Sequence, residues 1–137
     1  MTRLNPYINF KDNAREAMEF YKTVFGGKLD LSTFKDGGAP VDPSEENKIM
    51  HAMLTGDNDI VFMASDTPNH MEYKPGTNVS MSLSGDDESL LKGYWEKLSV
   101  GATIEQPLVQ APWGDTFGML TDKVGIHWLV NITGKKA

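Results

Sequence analysis

Apolar and polar residues run along this chain in two rhythms, and each change of rhythm marks an element. Within residues 6–27, Ala14, Ala17, Met18, Tyr21, Val24 and Phe25 recur at i, i+3, i+4 and i+7. That is the stripe of a helix with one buried face. Arg15, Glu16, Glu19, Lys22 and Thr23 fall on its wet side. Asn13 is placed to cap the first turn, and Glu16 three residues later to complete a capping box. Gly26 and Gly27 supply the left-handed conformation that ends a helix. A short strand, Pro6 to Phe10, comes first, and this strand–helix unit returns about 73 residues later.

After the helix, Lys28 to Phe34 reads as a strand in which Leu29, Leu31 and Thr33 alternate with polar residues. Residues 36–48 hold two glycines and two prolines with little apolar content. They predict a loop longer than the usual connection, either mobile or a flap over a site. Residues 49–66 read as a hairpin turning at Gly56, Asp57 and Asn58. Its strands are apolar on both faces, as expected when one face packs on a helix and the other lines a cavity. Residues 67–77 form a linker between a first module, 1–66, and a second, 78–137, of one domain. The second module opens with Val79, Met81 and Leu83 alternating with serines in Asn78 to Ser84. A helix follows from about Asp87, with Leu91, Tyr94, Trp95 and Leu98 on its apolar face. Strands are predicted at Thr103 to Val109, Thr116 to Thr121 and His127 to Ile132, the first an edge or bent strand because of Pro107. Each half is β-α-β-β-β. Phe10 matches Leu83, Ile8 matches Met81, and Phe20-Tyr21 matches Tyr94-Trp95.

Composition narrows the functional classes. The net charge is −6 and no Lys/Arg cluster interrupts the chain, so there is no electrostatic footprint for nucleic acid or anionic lipid. No apolar run approaches the roughly 18 residues of a membrane span, and no N-terminal leader is evident. Cysteine is absent, which removes disulfides, thiolate nucleophiles and Cys-based zinc sites. A cytoplasmic protein without nucleic-acid or membrane partners is expected.

The opening P-Y-I-N-F with N-A-R-E-A-M-E-F-Y-K-T-V-F-G-G, the hairpin K-I-M-H-A-M-L with D-I-V-F-M-A-S-D, and the closing turn D-K-V-G-I-H-W resemble the vicinal oxygen chelate superfamily. That group holds glyoxalase I, fosfomycin and bleomycin resistance proteins, and extradiol dioxygenases. Within it the chain is most similar to the PhnB-like family, over essentially its whole length. The resemblance implies an α+β fold of two βαβββ modules, each a half-barrel with its helix outside. Together they would make a cup-shaped cavity, often shared across a homodimer. It also implies metal slots on the first and last strands, which fall here at Tyr7, Ser80, Phe62 and Leu129. None suits a divalent ion that wants imidazole or carboxylate, so no metal or other cofactor is expected. Relatives are sometimes labelled ubiquinone-pathway methyltransferases, yet no glycine-rich strand-to-helix turn is present to hold S-adenosylmethionine.

The expected ligand-pocket residues are Tyr7, Asn9, His51, Phe62, Ser80, Ser82, Leu129 and Asn131, with Trp113 capping the opening. His51 has two readings: a core imidazole bonded to a neighbour, or a polar anchor or general base facing the cavity. Phe62 and Trp113 are also readable as core or dimer-interface residues, the two readings being about even for Phe62. His127 is expected at the rim, His70 on the surface, and Trp95 and Trp128 in the packing. Asp42, Glu45 and Glu46 read as a solvated face. The leading function is metal-free binding of a small molecule. The alternative is a lyase or dioxygenase-type enzyme with a metal relocated near His51.

Overall fold

The helix-period and strand-period segments become two copies of one arrangement. The computed structural model describes residues 2–134, and the chain divides between Lys74 and Pro75 into two compact units. The first unit runs β1 (Tyr7–Phe10), α1 (Ala14–Phe25), β2 (Lys28–Thr33), β3 (Ile49–Thr55) and β4 (Val61–Asp66). Its sheet has the order β1-β4-β3-β2, with β1 parallel to β4 and the other pairs antiparallel. The second unit runs β5 (Met81–Gly85), α2 (Glu88–Leu98), β6 (Thr103–Gln110), β7 (Thr116–Thr121) and β8 (His127–Ile132). Its order, β5-β8-β7-β6, repeats the pattern. The fold is α+β, built of two βαβββ modules.

In the first unit α1 buries Ala17, Met18, Tyr21, Val24 and Phe25, and the sheet meets it with Ala52, Leu54, Phe62 and Ala64. The Phe62 ring stands edge-on to Tyr21 and Phe25, with centroids 5.3 and 6.0 Å away. Burying a side chain of this size contributes about 1.5–3 kcal/mol. In the second unit α2 buries Leu91, Tyr94 and Leu98. Trp95 lies over Gly118, where a Cβ would come within 2.8 Å of the indole ring. The glycine is what lets helix and sheet approach there.

The capping box predicted at Asn13 does not form, since the Asn13 side chain makes no cap hydrogen bond. A partner from elsewhere takes its place: the Ala14 amide donates to Asp66 Oδ1 at 2.9 Å. Asp66 ends β4, and the parallel β1–β4 pairing carries its carboxylate to the start of α1. Its other oxygen accepts from the Ile49 amide, also at 2.9 Å. One buried carboxylate thus satisfies two backbone donors that would otherwise have no partner. In α2 the cap is local, Asp87 accepting from the Leu90 amide at 3.1 Å.

The repeat is also phased differently from the sequence match. Thr67 N donates to Phe10 O and Thr133 N to Gly85 O, each at 2.7 Å. Phe10 therefore corresponds to Gly85, and Ile8 to Leu83, whereas in the helices the buried positions pair Tyr21 with Tyr94, one residue from the expected match with Trp95. The strand-to-helix turn is shorter in the second module, and a two-residue slip leaves every side chain on its expected face. Pro107 has the predicted effect, for β6 is an edge strand whose pairing with β7 shifts register on both sides of Gln106.

Residues 36–48 are no free flap. Phe34 N bonds to Lys48 O and Lys35 N to Glu46 O, both at 3.0 Å, and a 3-10 turn covers Pro43–Glu45. Glu45, expected in solvent, is 2% exposed. Its carboxylate accepts the Asn69 amide at 3.0 and 3.3 Å, which draws the loop down onto the residues after β4.

Candidate functional site

Because Phe62 and Ala64 point to α1, alternation puts Val61, Met63 and Ser65 on the opposite, helix-free face. Register extends that face across the sheet. Tyr7 pairs with Met63, Met63 with Met53, and Met53 with Asp30. Beside this row, Asn9 pairs with Ser65 and His51 with Ser32, and the Ala52–Ala64 rung brings the two pairs into line. A polar row thus lies next to one rich in methionine. The Tyr7 ring leans diagonally toward His51, with centroids 5.9 Å apart and planes tilted by 38°. His51 is half-buried and faces away from the helix.

The second sheet presents the corresponding face. Ser82 pairs with Leu129 and Leu129 with Met119, while Ser84 pairs with Asn131 and Asn131 with Phe117. Leu129, Met119, Phe117 and Asn131 are half-buried, and the two serines are exposed. Asn131 Nδ2 donates to Asp115 at 3.1 Å. His127 stands at the first position of β8, with Nδ1 2.8 Å from Thr121 Oγ1. The Thr121 hydroxyl also bonds Glu105, whose Oε1 lies 3.8 Å from the imidazole.

Five expected pocket residues, Tyr7, Asn9, His51, Ser82 and Leu129, stand on these helix-free faces, and Asn131 joins them tied to Asp115. Three are placed elsewhere. Phe62 is a core residue against α1, because the apolar run V-F-M-A hides the phase of β4 and the face residue is its neighbour Met63. Ser80 precedes β5 in an exposed loop, and the hydrogen-bond register gives its place to Ser82. Trp113 is 69% exposed in the β6–β7 turn. Met53, Met63, Ser65, Phe117 and Met119 stand on the same faces, although their spacing alone did not single them out. The single polar residue in V-F-M-A-S, Ser65, was the available signal for the phase.

The slots implied for a metal are then Tyr7, Met63, Ser82 and Leu129: a phenol, a thioether, a hydroxyl and an alkyl group. That donor set does not fit a divalent ion. Across the sheet His51 pairs with Ser32, which offers a hydroxyl and not a carboxylate. Among the described residues, no three His, Asp or Glu side chains gather as a metal-binding group.

A separate feature of the first unit is an open cleft of about 720 Å³ between residues 34–45 and the segment after β4, lined by Phe34, Val41, Asp42, Glu45, Pro68 and His70. Next to it, Lys48 Nζ bonds Asp12 at 2.6 Å and lies 3.9 Å from Glu45. The hydrogen bond from Lys48 holds the Asp12 carboxyl below the usual carboxylate range, and the same bond pushes the Lys48 ammonium up.

The model of the family described as 3-demethylubiquinone-9 3-methyltransferase matches residues 2–131. Protein PA1353 from Pseudomonas aeruginosa is 31% identical, and its crystal structure superimposes with a TM-score of 0.83 over 98% of this chain and 100% of its own. The putative 3-demethylubiquinone-9 3-methyltransferase, PhnB protein, from Bacillus cereus is 24% identical, with a TM-score of 0.73 over 96% and 100% of the two chains. A glyoxylase/bleomycin resistance protein/dioxygenase domain from Frankia sp. EAN1pec shares the fold at 13% identity, with a TM-score of 0.66 over 98% of each chain.

Proposed function

Because the chain belongs to the 3-demethylubiquinone-9 3-methyltransferase family, the PhnB-like branch of the glyoxalase/bleomycin resistance superfamily, we propose that its helix-free sheet faces bind a small, partly aromatic or amphipathic molecule without a metal ion. The observation that carries this reading is the first sheet's face. Tyr7, Met53 and Met63 offer an adaptable apolar surface, and His51, Ser65, Ser32 and Asn9 offer donors and acceptors in line along it. Small-ligand sites combine surfaces in that way. Methyl transfer is not part of the reading, since the strand-to-helix turns carry Asp12-Asn13 and Asp86-Asp87 where a nucleotide-like cofactor would need close backbone approach. The reading includes a homodimer in the cytoplasm, a reducing compartment that suits a chain without cysteine.

A thermal-shift screen of aromatic and amphipathic small molecules, with Zn²⁺ and Mn²⁺ among the probes, tests it. At least one organic compound is expected to raise Tm, and neither ion is. A ligand present at about 100 times its Kd contributes about 2.7 kcal/mol. Tyr7→Ala and His51→Ala are expected each to weaken that ligand about tenfold. Failure of every organic probe, or stoichiometric retention of either ion, would overturn the proposal.

A further inference from the structure

We propose that the cleft beneath residues 34–45 is a second binding site, separate from the sheet faces, for a small organic cation with an apolar body, such as an arylalkylamine. Its volume of about 720 Å³ falls within the roughly 300–1,000 Å³ of small-molecule sites. Phe34, Val41 and Pro68 supply an apolar wall, and Phe34 adds an aromatic ring, a favourable neighbour for a cation. The charged lining is one-signed: Asp42 and Glu45 contribute carboxylates, and no Lys or Arg lines the cleft among the described residues.

The neighbouring ammonium groups already have partners, and for Lys48 these include Glu45 as well as Asp12. Lys48 is drawn to Asp12 at 2.6 Å and stands 3.9 Å from Glu45. Lys11 bonds the Thr67 carbonyl at 3.3 Å and Asn69 Oδ1 at 2.9 Å. Glu45 is 2% exposed, and both its oxygens are directed at one backbone amide, that of Asn69. An ionised carboxylate has about four acceptor positions, so Glu45 keeps capacity for a donor arriving through the cleft. Carboxylates beside an apolar wall select a cationic amphiphile and disfavour an anionic one.

The test uses three probes of one shape and different charge: phenethylamine, 2-phenylethanol and phenylacetate, titrated into the full chain and followed by amide NMR shifts and calorimetry. Phenethylamine is expected to bind saturably, at least tenfold more tightly than phenylacetate, with the largest shifts at Val41 and His70. Asp42→Asn, a change at an exposed position, is expected to weaken the amine about tenfold, and Val41→Trp to abolish binding by filling the cleft. Tyr7→Ala is expected to leave amine binding unchanged, which keeps this result distinct from the sheet-face reading. No saturable amine binding at millimolar concentration would overturn the proposal, as would equal binding of all three probes or undiminished binding to Val41→Trp.

Discussion

Asp66 shows how much structure one side chain can fix. It is 3% exposed, and it holds the first amide of α1 and the first amide of β3 with separate oxygens. Removing it strands two buried donors, each costing about 1–3 kcal/mol. Asp66→Ala is therefore expected to destabilise the protein by about 2–4 kcal/mol in urea unfolding. Asp66→Asn, which keeps one acceptor oxygen, is expected to lose about half as much. Equal losses would mean that the carboxylate's charge, which both variants remove, and not the number of unpaired amides, sets the cost. This role was not legible in the sequence, where Asn13 and Glu16 offer a complete local cap. A carboxylate brought in by strand pairing leaves no trace in local spacing. The same holds for Glu45, whose burial depends on meeting the Asn69 amide. Met63 is a different case: apolar residues on both sides of it hide the strand's phase, and Ser65, two residues on, is the one polar position that marks the face it takes.

At the scale of elements, the helices, all eight strands and the edge character of β6 followed from periodicity, glycine stops and the proline. The strength of those signals explains why boundaries moved by only a residue or two at most elements. β5 is the exception: it begins at Met81 rather than Asn78 because Asn78–Ser80 has no pairing partner. The long β2–β3 connection gains its order from polar bonds, among them the Lys48–Asp12 pair linking the start of β3 to the β1–α1 turn. The carboxyl of Asp12 is held below its ordinary value near 3.8, so its contribution is present above that value and lost as pH falls through the lowered one. The ammonium of Lys48 is held above 10.5, so its contribution is complete below 10.5 and lost as pH rises through the raised value. The pair therefore stabilises across the neutral range. Lys48→Met is expected to lower the urea midpoint slightly at pH 7, and by less at an acid pH where the Asp12 carboxyl is protonated. A loss of equal size at both pH values would assign the effect to packing of the lysine stem.

At the scale of the whole molecule, two modules with apolar helix-free faces leave a good deal of half-buried methionine, leucine and phenylalanine to be covered. Light scattering is expected to give a mass near twice 15.2 kDa, and a clean monomer would remove the dimer from the functional reading. The two modules also differ in when they become complete. The cap of α2 comes from Asp87, three residues before the amide it holds, so that helix carries its own start signal. The cap of α1 lies 52 residues downstream. A chain made from its N-terminus must therefore hold α1 with an open first turn until Asp66 has left the ribosome, and only then can the first module close. The half that is synthesised first carries the helix that waits longer for its cap.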